Sequence, residues 1–231
     1  MSEISESDPN SADMLELAES NLLLPLEDYL RSGVHIGTSS GMLPMAPYIY
    51  RVRNDGLFVL DVRKTDERIR TAAKFIARQD PSEIVVASVR TYGVYPVLRF
   101  AQTINAVSIT GRFVPGTFTN PSLQGQWKFY EPRLVIISDP NTDRQARVEA
   151  NMAGIPVISL ADTDNTTQGV DLVIPCNNKG RNSLATVFFL LARETLRERG
   201  ELTPERDTEL ILDNFRAPRG KKRVTETLDD L

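Results

Sequence analysis

Residues 170–185 read VDLVIPCNNKGRNSLA, and the fold turns on this stretch. Residues 171–175 form an apolar run with polar neighbours, the mark of a buried strand. The run breaks into Cys176, Asn177, Asn178, Lys179, Gly180 and Arg181, a loop of amides and cations. A helical pattern follows from Asn182 or Ser183, both residue types that cap helix N-termini. A strand therefore hands over to a helix across a loop rich in donors. In open α/β sheets ligands sit at that end of the strands. Amides and cations suit phosphate and sugar oxygens, and no catalytic group stands among them. The plainer alternative is an ordinary strand-to-helix turn.

The same alternation repeats outward. Residues 57–61, 83–89, 133–138 and 155–160 read as four more strands. Residues 65–79 place Ile69, Ala72, Ala73, Ile76 and Ala77 on one helical face, with Thr65 as the cap. Further helices are expected over 26–32, 94–104, 142–153 and 183–199, and a helical turn over 210–215. The strands are continuous apolar runs, which argues for a parallel sheet covered on both faces. Right-handed crossovers then give an α/β fold, a three-layer doubly wound domain of flavodoxin- or Rossmann-like type with five parallel strands. The expected organisation is an acidic, largely disordered tail over 1–20, one α/β domain over 21–202, and a charged, partly mobile tail over 203–231.

Composition narrows the chemistry. No apolar run approaches the ~18 residues of a membrane span. The acidic start, MSEISESDPNSAD, is unlike a secretory signal. One cysteine, Cys176, and one histidine, His35, make neither an internal disulfide nor a structural zinc site, which fits a reducing cytoplasm. Asn165-Thr166-Thr167 matches a glycosylation sequon by chance. The segment directly after Asp61, VRKTDER, holds no glycine, so a dinucleotide fingerprint is missing, and neither a P-loop nor a G-x-S-x-G elbow occurs. Asp139, Asp143, Asp162 and Asp164 read as caps of turns and helices in preference to magnesium ligands. No cofactor is expected.

Five more stretches stand in order with the first: SGVHIGT (32–38), YRVRNDGLFVLD (50–61), ITGRFVPGTFTNP (109–121), EPRLVIISDP (131–140) and ANMAGIPVISLADTDN (150–165). Together the six resemble the ribosomal protein S2 family in its archaeal and eukaryotic branch, which includes the laminin-receptor precursor. The resemblance runs over about residues 26–200. The bacterial members' coiled-coil insertion has no counterpart here. One departure from the branch is the loop Ser39-Ser40-Gly41-Met42-Leu43-Pro44, which carries no cation. The resemblance implies a non-catalytic, archaeal constituent of the small ribosomal subunit in the cytoplasm. Its implied partners are small-subunit rRNA and neighbouring ribosomal proteins, with no membrane and no small-molecule substrate.

Charge looks wrong for an RNA binder, at a net −4. Its distribution resolves the conflict. Residues 1–30 carry eight acids and no Lys or Arg, whereas 31–120 carry twelve Lys or Arg against six acids. Phosphate contact is expected from Arg51, Arg53, Arg63, Lys64, Arg112, Lys179 and Arg181. Thr117, Thr119, Asn120, Asn177 and Asn178 are expected to serve sugar and phosphate oxygens. His35 reads as a packed residue bonded to backbone, with a phosphate donor as the alternative. Trp127 and Tyr130 read as cover for the sheet edge, with base stacking as the alternative. The rival function is a doubly wound enzyme or nucleotide-binding module for a phosphorylated small molecule, which predicts a deep pocket at the strand carboxyl ends. A second rival is a protein-interaction adaptor using the tails.

Overall fold

The computed structural model describes residues 22–123 and 128–218. The chain enters through helix α1 (Leu26–Ser32) and an antiparallel hairpin of β1 (Ile49–Val52) and β2 (Phe58–Leu60). There follow α2 (Val62–Ala77), β3 (Ile84–Ser88), α3 (Thr91–Ile104), β4 (Val107–Thr110), β5 (Leu134–Ile137), α4 (Arg144–Met152), β6 (Val157–Ala161), β7 (Leu172–Pro175), α5 (Arg181–Glu198) and α6 (Pro204–Glu209). The central sheet has the order β4-β3-β5-β6-β7, all parallel. The order reverses between β3 and β5, which makes that pair the switch point of a doubly wound domain.

Side chains alternate between the sheet's two faces. Ile84, Val86, Leu134, Ile136, Ile158, Leu160 and Ile174 pack against α2, α3 and α5. Val85, Ala87, Val135, Ile137 and Val157 face the other way. There α4 supplies Ala146 and Ala150, while loop 111–121 supplies Phe113 and Phe118. The two rings meet edge-on at 5.1 Å. Burying each is worth about 2–3 kcal/mol, so this loop does the covering that a helix does elsewhere.

The expected fold class holds, but its strands differ in membership. Residues 57–61 do not join the main sheet. They turn back on β1 through Asn54, Asp55 and Gly56, where Arg53 N–H donates to Leu57 O at 2.8 Å and Gly56 adopts φ +81°. That positive φ suits glycine and closes a three-residue hairpin loop. The fifth strand is instead β4, a half-buried edge strand of four residues that the sequence reading left inside irregular chain. Tyr130 packs against the same cluster as Phe113 and Phe118, and Trp127 lies outside the described residues.

Helix starts also shift. Asp61, not Thr65, caps α2, accepting from Arg63 N–H at 3.0 Å. Thr65 lies inside the helix and donates to Pro175 O at 2.7 Å, tying α2 to the end of β7. Likewise α5 begins at Arg181, and Ser183 Oγ donates back to Asn177 O at 2.6 Å. The packed domain runs to Ala217, beyond the boundary expected at 202. Thr203 caps α6, and Phe215 is buried against Phe189 with ring centroids 5.8 Å apart. Residues 1–21 and 219–231, on which most of the expected tails fall, lie outside the described residues.

Candidate nucleic-acid interface

Four expected contact residues converge. His35, Arg51, Arg53 and Arg63 line one cleft of about 680 Å³ between α1, the hairpin and the start of α2. The hairpin explains the convergence. Residues 35–38 pair with the free side of β2, with Leu60 N–H donating to His35 O at 2.8 Å and Phe58 N–H to Thr38 O at 2.9 Å. This sets His35 beside Arg51 and Arg53 across a three-stranded ribbon. Leu26, Leu30, Ile36, Val59 and Val62 form the cleft's apolar floor. All three arginines are exposed. Arg53 pairs with Asp55 at 3.1 Å, an exposed contact of small strength.

The start of α2 sharpens the electrostatics. Its first turn holds Arg63 and Lys64 and no acid inside the helix. Cations there oppose the helix dipole, usually at about 0.3–1 kcal/mol. The Asp61 cap offsets part of that cost. Lys64 Nζ donates to Pro47 O and so holds the 3₁₀ turn Leu43–Tyr48. Arg68 lies over the Tyr48 ring at 5.6 Å. His35 is half-buried, and its Nδ1 has no hydrogen-bond partner among the described residues. Burial of the ring pushes its pKa below the usual 6.5, and the Arg53 charge pushes the same way. Tyr50 completes the cleft with a ring 70% exposed. Sequence reasoning passed over it; Tyr50, Arg51 and Val52 are all exposed along this edge strand, whose register shifts between Ile49 and Arg51, so no alternation marks it.

The carboxyl edge of the main sheet is built from similar residues and behaves differently. At the switch point Ser88 Oγ meets Ser138 Oγ at 2.7 Å, and Ser138 Oγ donates to Asp143 at 2.9 Å. Asp143 also accepts from the backbone N–H of Val89, Ser138 and Asp139. Burial pushes its pKa up to about 6, against those four bonds. Arg90 pairs with Asp139, whose other oxygen accepts from Asn165 Nδ2 at 3.1 Å. Asn165 Oδ1 in turn accepts from Asn178 Nδ2 at 2.8 Å. A Cβ on Gly93 would lie 2.3 Å from Ser88 Oγ, so α3 closes hard onto this network. The crevice where such sheets hold ligands is largely occupied by the protein's own side chains. A hollow of about 290 Å³ remains beside Arg112 and Thr142.

The loop after β7 belongs to that network. Asn178 is wholly buried and presents no surface to a ligand in this conformation. Asn177 Oδ1 accepts from Lys179 and Gly180 N–H, and its Nδ2 donates to Gly33 O at 3.2 Å. It therefore docks the segment that carries His35. Lys179 Nζ lies 2.6 Å from Asp164 and 3.6 Å from Asp162. Arg181 Nε donates to Ala217 O. In loop 111–121, Thr117 is buried and donates to Val114 O at 2.6 Å, while Asn120 Oδ1 caps a turn at Ser122 N–H. Glu149, almost fully buried, accepts from Gly116 and Phe118 N–H at 2.8 and 3.1 Å, pinning the loop. Arg112, Thr119 and Asn120 remain exposed on its rim.

No group of three or more His, Cys, Asp or Glu suited to a metal occurs among the described residues. No described helix is long and apolar enough to cross a membrane. The family model for ribosomal protein S2 matches residues 29–131 and 123–197. Small ribosomal subunit protein uS2 of Staphylothermus marinus is 59% identical over 186 residues, covering 80% of this chain and 83% of that protein. The protein of the same name from Thermofilum pendens is 52% identical over 207 residues, covering 90% and 95%. That of Thermoplasma volcanium is 50% identical over 200 residues, covering 86% and 98%.

Proposed function

The chain belongs to the ribosomal protein S2 family, and from that premise we propose that the cleft of His35, Arg51, Arg53 and Arg63 is where it grips rRNA. The protein is a structural constituent of the small ribosomal subunit, not an enzyme, and serves translation with the ribosome in the cytoplasm. It binds small-subunit rRNA and neighbouring ribosomal proteins. The observation that carries the assignment of the cleft is the convergence of three exposed arginines and the sole histidine in a chain that is acidic overall. Arginine's planar fork suits phosphate oxygens. Tyr50 offers a ring face to an unstacked base. The neighbouring helix start adds Lys64 beside Arg63, and the Asp61 carboxylate that caps it lines the same cleft. Arg112 and Thr119 extend the surface from the far side of the sheet, and Lys179 and Arg181 contribute secondarily. The filled switch point weighs against the rival reading as a nucleotide-binding module.

The test is the triple variant Arg51→Ala, Arg53→Ala, Arg63→Ala. Each lost phosphate contact is expected to flatten the salt dependence of RNA binding by up to about 0.9 logarithmic units of slope. Stability should change by less than about 0.5 kcal/mol per exposed site. An unaltered slope, together with normal recovery of the variant in small subunits, would overturn this assignment.

A further inference from the structure

We infer that the outer edge of β4 is a docking strand, and that an extended, acid-bearing segment of a neighbouring small-subunit protein pairs with it as a sixth strand of the sheet. Backbone direction is the first support. Gly111 N–H donates to Ser88 O at 2.9 Å, and the register sets Ser88 beside Thr110. Alternate residues of a parallel strand face the same neighbour. Val107, Ile109 and Gly111 therefore bond to β3, while Ser108 and Thr110 turn N–H and C=O outward. None of those four groups has a partner among the described residues.

The opposite edge of the sheet is closed by contrast. Cys176 N–H donates to Ala161 O at 2.9 Å, so β7 turns Val173 and Pro175 outward. Pro175 has no N–H to expose, its carbonyl accepts from Thr65 of α2 at 2.7 Å, and Val173 is buried. Proline, charge or a covering element is how sheets blunt an edge. β4 reads Val-Ser-Ile-Thr, with neither charge nor proline, and is half-exposed along its length.

The surroundings select the occupant. Val107, Ile109 and Tyr130 pack half-buried against one apolar cluster. Lys128 is exposed and lies over the Tyr130 ring at 5.1 Å, and Arg112 is exposed two residues past the strand. Neither cation forms an ion pair among the described residues. A strand with apolar residues toward Val107 and Ile109 and a carboxylate toward Lys128 satisfies both features. Its main chain supplies donors and acceptors to the open edge, and its side chains supply specificity. Phosphate accepts but does not donate, so RNA backbone would leave the Ser108 and Thr110 carbonyls unmet. A second copy of this chain would bring two Lys128 side chains to one seam, with no carboxylate added between them.

The experiment follows hydrogen exchange of the full chain, free and in assembled small subunits. In the free chain the Ser108 and Thr110 amides should exchange about tenfold or more faster than those of Ile109 and Gly111. Equal protection would mean that the chain closes this edge itself, and overturns the proposal. In subunits the two outward amides should slow by about tenfold or more, and unchanged exchange there also overturns it. A photoreactive benzoylphenylalanine at position 110 then reads the neighbour. The expected cross-link is to an extended protein segment carrying Asp or Glu; one to rRNA or to a second copy of this chain overturns the assignment. Ser108→Pro removes an outward N–H and none that bonds β3, a change that edge strands tolerate. It should lower recovery in small subunits while the free chain stays folded. Lys128→Glu, an exposed change with little effect on stability, should lower recovery about twofold to fivefold, as for one exposed ion pair, and decides the matter if the proline variant unfolds. Full recovery of a folded Ser108→Pro chain, or of Lys128→Glu, overturns the docking.

Discussion

The carboxyl edge of the sheet and the hairpin cleft draw on the same vocabulary of arginine, amide and carboxylate and use it to opposite ends. At the edge, Arg90, Asp139, Asn165 and Asn178 bond in a chain, Asp143 accepts from Ser138 and from backbone, and all but Arg90 are buried. In the cleft, Arg51, Arg53 and Arg63 stand exposed around open volume. The first region spends its polar groups on closing a fold whose switch point would otherwise be a ligand crevice. The second leaves its charge available. Residue type alone therefore does not mark a binding site; what matters is whether backbone donors and partners already claim the group.

The comparison breaks most severely if Asp143 is dispensable. Asp143→Ala would orphan the buried Asp139 N–H and take one bond each from Val89 N–H, Ser138 N–H and the Ser138 hydroxyl, the last two of which keep Ala87 O and Ser88 Oγ. An orphaned buried donor costs about 1–3 kcal/mol and each other lost bond about 0.5–1.5 kcal/mol, so a total loss of about 3–5 kcal/mol is expected in chemical denaturation. An unfolding curve within 1 kcal/mol of the parent (on the order of one surface substitution) would mean that the edge is not a structural network.

Next in size is Glu149→Ala. Its carboxylate holds Gly116 and Phe118 N–H, and Gln145 Nε2 braces it at 2.7 Å. A loss of about 2 kcal/mol is expected, with faster amide exchange confined to residues 113–119. Uniform exchange would show that the aromatic pair alone sets the loop's shape.

How much of this could be read from the sequence divides along the same line. The alternation of strand and helix was legible because β3, β5, β6 and β7 are continuous apolar runs. Residues 57–61 looked alike but are a hairpin arm, and the signal was present in Asn54-Asp55-Gly56. β4 was missed because VSIT is short, half-buried and on an edge. In the site, Arg51, Arg53 and His35 were singled out one by one. Nothing in their spacing said that residues 35–38 pair beside β2, since strand pairing between distant segments is not encoded locally. The loop 176–181 misled for the converse reason: Asn178 and Asn177 look like ligand groups until Asn165 and Gly33 are seen to hold them.

A smaller effect sharpens the boundary between the two regions. Lys179 lies in the closed loop yet is only partly covered, paired with Asp164 and near Asp162. Lys179→Glu with Arg181→Glu sets like charges together there, and a loss of about 1 kcal/mol is expected. It should flatten the salt dependence of RNA binding less than the cleft variant does. A larger flattening would move the centre of RNA contact to the sheet edge.

The smallest expected effect tests whether His35 belongs to the charged cleft or to the fold. Burial holds its pKa below 6.5, so the folded ring resists a proton that the unfolded ring accepts. Below pH 6.5 the unfolded state therefore binds more protons. The stability contribution is complete above that value and is lost as pH falls through it toward the folded pKa. RNA phosphate acts in the opposite sense, because a nearby anion favours the charged ring. Acid should thus weaken the fold and tighten RNA through the same side chain. Comparing parent with His35→Gln at about pH 7.5 and 5.5, either side of the ordinary imidazole pKa, isolates this from the carboxylates, which both proteins share. The parent alone is expected to show both trends. If the two proteins gain RNA affinity equally on acidification, His35 does not face phosphate, and the arginines hold the RNA without it.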